Sequence, residues 1–241
     1  MLAAASPSVL ALLGICAGVL TTLAGQGGGL FLLIALASFM GPHAALAVSS
    51  PALLLGNLHR AFTFRRYIDR PIVKRMILGA LPGSIAGGFL VGWLPAIAVN
   101  VVLVVCTILA IAKAVFKWKL AIPRSAFVPA GFGVGAMTGT AGGAGVLLAP
   151  ILLAAGLSGP AFVATTSLVA FATHTGRVLA YGWSGMLGRD LLLQTAIVAL
   201  SILAGNALGE RLRACLAPKT QTIIEYGTLG VCVALSVAGV R

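Results

Sequence analysis

The polar chemistry of this 241-residue chain lies in a few side chains set inside apolar runs. In "TTLAGQGGGLFLLI" (21–34), Gly25, Gln26, Gly27 and Gly28 interrupt a hydrophobic stretch. In "TGTAGGAGVLLAP" (138–150), Thr140, Gly142 and Gly143 do the same. Glycine lets backbone amides approach a ligand closely. A helix starting just after such a break turns its free N–H groups and positive dipole end toward the gap, which favours an anion. Gln26 adds two donors and an acceptor. Close helix packing through small residues is the competing explanation, and both can hold at once.

Hydroxyls follow each break: Ser49 and Ser50 in "AVSSP", Thr166 and Ser167 in "ATTSL". They are candidate donors to an anion, or they bond back to carbonyls one turn earlier. Asn57, His174 and Arg177 complete the candidate set. His174 and Arg177 are three residues apart, hence on one helical face. A titrating histidine beside an anion path would couple proton movement to transport; a satisfied structural histidine is the alternative. An arginine near each mouth, Arg60 and Arg177, can attract anions or snorkel to headgroups, and snorkelling is the commoner reading for Arg60.

The elements that position these groups belong in lipid. Hydrophobic residues make up 60% of the chain and charged ones 8%, against roughly 25% charged in soluble domains. Apolar runs at about 8–24, 28–40, 44–62, 76–92, 97–116, 127–141, 144–157, 161–181, 191–209 and 221–240 predict helices. Seven are long enough, or nearly so, to cross a bilayer, for which around 20 residues are needed. The short runs 28–40, 127–141 and 144–157 hug the glycine breaks and suit half-helices or re-entrant pieces. The N-terminal run reads as a retained first span.

The net charge of +12 is carried in loops, not along one soluble face, so nucleic acid is not an expected partner. Three clusters hold most of it: Arg60, Arg65, Arg66, Arg70, Lys74 and Arg75; Lys113, Lys117, Lys119 and Arg124; Arg211, Arg213 and Lys219. The positive-inside rule places all three on the cytoplasmic side, with both termini outward. Cys16, Cys106, Cys215 and Cys232 have no metal-motif spacing, and neither a cofactor nor catalysis is expected. No GxxxxGK[ST] stretch is present, so the chain is not expected to hydrolyse ATP.

Shifted by 117 residues, "GICAGVLTTLAGQGGGL" (14–30) lies over "GFGVGAMTGTAGGAGVL" (131–147), with identities that include Thr21/Thr138, Gly25/Gly142 and Gly28/Gly145. Asn57 then falls on His174 and Arg60 on Arg177. Halves 1–120 and 121–241, inserted in opposite senses, predict an all-α polytopic membrane protein with two inverted-topology repeats and interrupted glycine-rich helices. In transporters so built, the binding site lies where the breaks meet.

"LAGQGGG", "TAGGAG…LLAP" (140–150) and "ATTSLVAF" (164–171) resemble the glycine-rich signatures of the TauE/SafE family of sulfite and organosulfonate exporters. The likeness spans the chain. It implies a multi-pass bacterial inner-membrane secondary transporter that exports a small sulfur-containing anion by alternating access. Protons are the expected coupling ion, and a homo-oligomer fits the same reading. One departure from symmetry is Pro150, opposite Leu33 in the first half. An anion channel, a carrier of another small organic acid and a non-transporting scaffold are the alternatives.

Overall fold

The computed structural model describes residues 6–25, 27–99, 101, 102, 104, 105, 108, 123–142, 147–216 and 220. Among these residues all regular structure is helical. The eight principal helices are α1 (Pro7–Ala24), α2 (Gly28–Met40), α3 (Pro42–Thr63), α4 (Arg70–Val91), α5 (Phe127–Ala141), α6 (Leu148–Ala154), α7 (Gly159–Trp183) and α8 (Leu192–Cys215). Most of the predicted runs 97–116 and 221–240 fall outside the described residues.

Local chemistry sets the ends. Ser6 caps α1, its hydroxyl accepting from Val9 N, and Asp69 caps α4 through Ile72 N at 3.0 Å. Pro7, Pro42, Pro71 and Pro160 sit in first turns, where the missing N–H costs nothing. Gly25 (φ 77°) and Gly142 (φ 73°) end α1 and α5 in the left-handed region. Residues with a Cβ pay about 1–2 kcal/mol for that conformation.

The helices interlock pairwise. α4 lies along α5, and α1 along α8, at backbone contact. Gly79, Gly83 and Gly87 of α4 recur every fourth residue, as do Gly131, Gly135 and Gly139 of α5. A Cβ added at Gly83 would strike the Phe132 carbonyl, and one at Gly135 the Ala80 carbonyl. Gly18 and Gly205 make the same seam between α1 and α8. Small residues let helices approach this closely in lipid, where no hydrophobic force drives them together. α3 and α7 cross at the centre, and α2 packs against α1 and α3.

Adding 117 to the bounds of α1 gives 124–141, the 3-10 turn Arg124–Ala126 plus α5; adding it to those of α3 gives 159–180, inside α7. α1 of the first predicted half packs on α8 of the second, and α5 of the second packs on α4 of the first.

One helical stretch among the described residues, Arg189–Cys215, is long and apolar enough to cross a membrane by length and composition; Pro7–Leu23 and Gly28–Met40 are shorter apolar helices. Among the described residues, segments that pass this test are therefore fewer than the sequence suggests. α3 and α7 have 22 and 25 residues, about 33 and 38 Å at 1.5 Å per residue. Their hydropathy is lowered by Ser49, Ser50, Asn57 and Arg60, and by Thr165, Thr166, Ser167, Thr173, His174 and Arg177, all buried inside the bundle. Leu55, Leu58, Phe62 and Leu179 of the same helices face outward and are exposed. Polar residues inside and apolar residues outside is the arrangement lipid demands.

Candidate functional site

α1 ends at Ala24, so its last four carbonyls have no partner within the helix. Two arginines take two of them. Arg60 Nη1 donates to Thr21 O at 2.6 Å and Arg213 Nη1 to Thr22 O at 3.0 Å. Cations are stabilised at this negative end of the helix dipole. At the matching end of α5, Tyr181 Oη donates to Gly139 O at 2.6 Å.

Between these helix ends lies a cavity of about 50 Å³. At ~10–15 Å³ per water on that measure, it has room for a few waters or one small ion. From the first half it is lined by Thr21, Gly25, Gly27, Gly29, Asn57 and Arg60, with Leu30 and Leu53 as apolar wall. From the second come Thr138, Gly142, Thr166, Thr173 and His174, with Leu148 and Ala170. Four lining positions pair at the 117-residue shift: Thr21 with Thr138, Gly25 with Gly142, Leu53 with Ala170, Asn57 with His174. On α3 the lining residues 53, 57 and 60 form one helical stripe; on α7 residues 166, 170, 173 and 174 form another.

The donors divide by what already occupies them. Arg60 also donates through Nη2 to Asn57 Oδ1. Asn57 Nδ2 donates to Leu53 O at 2.7 Å. Thr21 and Thr138 spend their protons on Ala17 O and Val134 O, and Thr173 spends its proton on Ala170 O. Thr166 Oγ1 is buried, lines the cavity and bonds to no described residue. The amides that open α2 add to this set. No side chain caps Gly27, and Gly27, Gly29 and Leu30 line the cavity; Phe31 N is the first amide satisfied, by Gly27 O at 2.9 Å.

Arg177 lies just behind this wall, fully buried. Its Nη1 meets His174 Nδ1 at 3.1 Å, its Nη2 donates to Leu46 O, and it stands over the Tyr181 ring at 5.4 Å. Arg60 and Arg177 are thus two buried guanidiniums, and neither forms an ion pair with a described carboxylate. The described acids lie elsewhere: Asp69 caps α4, Glu210 pairs with His59 at 3.8 Å, and Asp190 stands in a 3-10 turn.

Of the residues predicted for binding, Gly25, Gly27, Asn57, Gly142, Thr166 and His174 come together on this cavity. Gln26 and Gly143 lie outside the described residues. Gly28 is turned to α1, where a Cβ would strike Ala17 O. Ser49 and Ser50 both bond back to Leu46 O, and Thr140 to Ala136 O and Met137 O. Ser167 is buried with a free hydroxyl but is not among the lining residues. Thr21, Thr138 and Thr173 also line the cavity and were missed in the sequence reading, and Arg60 lines it without having been placed in the predicted binding set. Arg60 does not snorkel: it is 3% exposed and turned inward. Its alignment with Arg177 was the available signal. The second break, 143–146, lies outside the described residues; α6 begins just after it, at Leu148, and has seven residues.

Residues 10–238 match the family described as sulfite exporter TauE/SafE. The chain belongs to the TauE/SafE family. No curated protein and no solved structure matches it. TauE/SafE proteins are membrane transporters of sulfur anions, so this chain is a membrane protein whose cargo class is a small anion. The TauE/SafE match covers both glycine breaks and every residue that lines the cavity.

Proposed function

We propose that the protein is a multi-pass secondary transporter of the bacterial inner membrane that exports sulfite or a small organosulfonate by alternating access. One observation carries the reading: Arg60 and Arg177 are buried at or beside a small cavity with no described carboxylate paired to either. A buried charge without a counter-charge is costly in a low-dielectric interior. A bound anion supplies the missing charge. It would find Arg60, the free Thr166 hydroxyl and the opening amides of α2 in one cavity.

In this reading the halves are inverted repeats that meet at the cavity, and they rock about the breaks at 25–27 and 142–147. The basic groove of Arg65, Arg66, Arg70 and Lys74 faces the cytoplasm. An inside-negative potential drives an anion outward. Protons as coupling ion and a homo-oligomeric assembly remain part of the proposal.

The test is flux into liposomes reconstituted with the full chain, using labelled sulfite against sulfoacetate, thiosulfate and a carboxylate. Saturable sulfite uptake with counterflow is expected. Non-saturating flux without counterflow would make the protein a channel, and absence of anion flux would overturn the reading.

A further inference from the structure

In each half an arginine stands three residues after the polar side chain that lines the cavity. In α3 Arg60 Nη2 donates to Asn57 Oδ1; in α7 Arg177 Nη1 lies 3.1 Å from His174 Nδ1. A guanidinium has donors only. The other atom in each contact must therefore be the acceptor.

For His174 this decides where the proton sits. Nδ1 offers its lone pair to Arg177, so the ring hydrogen of the imidazole is on Nε2. Nε2 has no hydrogen bond to a described residue, and His174 lines the cavity. For Asn57 the same logic fixes the amide: Oδ1 serves Arg60, and Nδ2 is the opposite edge. One Nδ2 hydrogen goes to Leu53 O, which leaves the second free.

We infer that Arg177 is a positioning residue that holds His174 as a neutral, Nε2-protonated donor to the transported anion, as Arg60 holds Asn57 in the other half. Asn57 and His174 occupy the same place in the two halves, so two different side chains deliver one function: an N–H with no competing lone pair. The inference rests on the transport reading for what the donors bind. It adds a rule of selection. Where Asn57 and His174 face the cavity they only donate, which suits a solute atom that only accepts, such as an oxygen of a deprotonated oxyanion. An ammonium N–H at these two positions would set donor against donor.

Arg177 itself does not line the cavity, so its role is read through His174. The first measurement is nitrogen-15 NMR of histidine-labelled full-length protein in lipid nanodiscs, with His43→Gln and His59→Gln variants to assign the signals. His174 is expected as the Nε2–H tautomer in the unsubstituted protein. In Arg177→Met the two tautomers are expected to mix. The second measurement is sulfite flux. His174→Gln, whose amide nitrogen reaches about as far as Nε2, is expected to transport with a lower KM than His174→Asn. His174→Asn, which reaches only as far as Nδ1, is expected to raise KM about tenfold, the worth of one hydrogen bond to a charged group. An Nδ1–H or doubly protonated His174 in the unsubstituted protein, or equal flux from the Gln and Asn variants, overturns the inference. Absence of sulfite flux in the unsubstituted protein would instead remove the transport reading while leaving the tautomer result intact.

Discussion

Arg60 reaches from α3 to the end of α1 and gives an N–H to the Thr21 carbonyl at 2.6 Å. The contact joins the wall of the cavity to the helix that breaks beside it. Replacing Arg60 by Gln keeps a donor and removes the charge. Hydrogen bonds to charged groups contribute about 1.5–3 kcal/mol, so sulfite flux should fall roughly 10- to 100-fold at equal protein level. Arg60→Lys should recover only part of it, because a point ammonium cannot serve Thr21 O and Asn57 Oδ1 with the same fork. Unchanged flux in Arg60→Gln, measured in liposomes, would remove Arg60 from the anion path.

Gly142 is held at φ 73°, and a Cβ there would come within 2.9 Å of Arg177 Nη2 and of Leu46 Cδ2. Gly142→Ala should therefore cost about 1–2 kcal/mol in backbone strain and displace Arg177 as well. A lower melting temperature in detergent together with reduced flux is expected. A drop in stability alone would mean that the cavity tolerates movement of Arg177.

The seam between α4 and α5 makes a different prediction. A methyl at Gly83 meets the Phe132 carbonyl, and neither residue lines the cavity. Gly83→Ala should destabilise by about 1–3 kcal/mol through overpacking. Flux per folded molecule should stay the same, which thermal melts and flux normalised to folded protein will decide.

Asn206 is buried between three helices, accepting from Thr22 Oγ1 at 3.1 Å and donating to Gly56 O at 2.9 Å. Side-chain bonds between helices in lipid average only about 0.6 kcal/mol. Asn206→Leu should therefore melt slightly earlier and still carry sulfite. Loss of flux without loss of stability would give Asn206 a place in the transport cycle.

Orientation is open to direct test. α3 ends at Thr63 and α7 at Trp183. If the halves are inserted in opposite senses, a single cysteine at Arg66 will be labelled by an impermeant maleimide only from the cytoplasmic side, and one at Ser184 only from the other. Labelling of both from one side would refute the inversion.

Much of the fold was legible in the sequence because lipid leaves a strong imprint. The runs 28–40, 44–62 and 127–141 differ from α2, α3 and α5 by at most two residues. α4 begins six residues before its apolar run, since Arg70, Lys74 and Arg75 are polar yet helical, and the Asp69 cap with Pro71 was the signal for that start. α8 continues past its run through Glu210 and Arg213 for the same reason.

The site was legible in part. Glycine breaks and the Asn57/His174 correspondence show in one dimension. Arg60 shows there only through its alignment with Arg177, because it opens a row of cations that belong to a surface loop. The carbonyl of Thr21, 39 residues earlier, and the Asn57 amide oxygen draw it inward. Nor can spacing tell a hydroxyl that serves its own helix, as at Ser50, from one left free, as at Thr166; both sit in buried turns of similar composition.

The α1–α8 seam has a consequence for biosynthesis. The glycine face of α1 fits against a helix that is completed only at Cys215. Until then Gly14 and Gly18 present bare backbone to whatever surrounds them, so the insertion machinery or a neighbouring lipid must shelter α1 while the intervening helices are made.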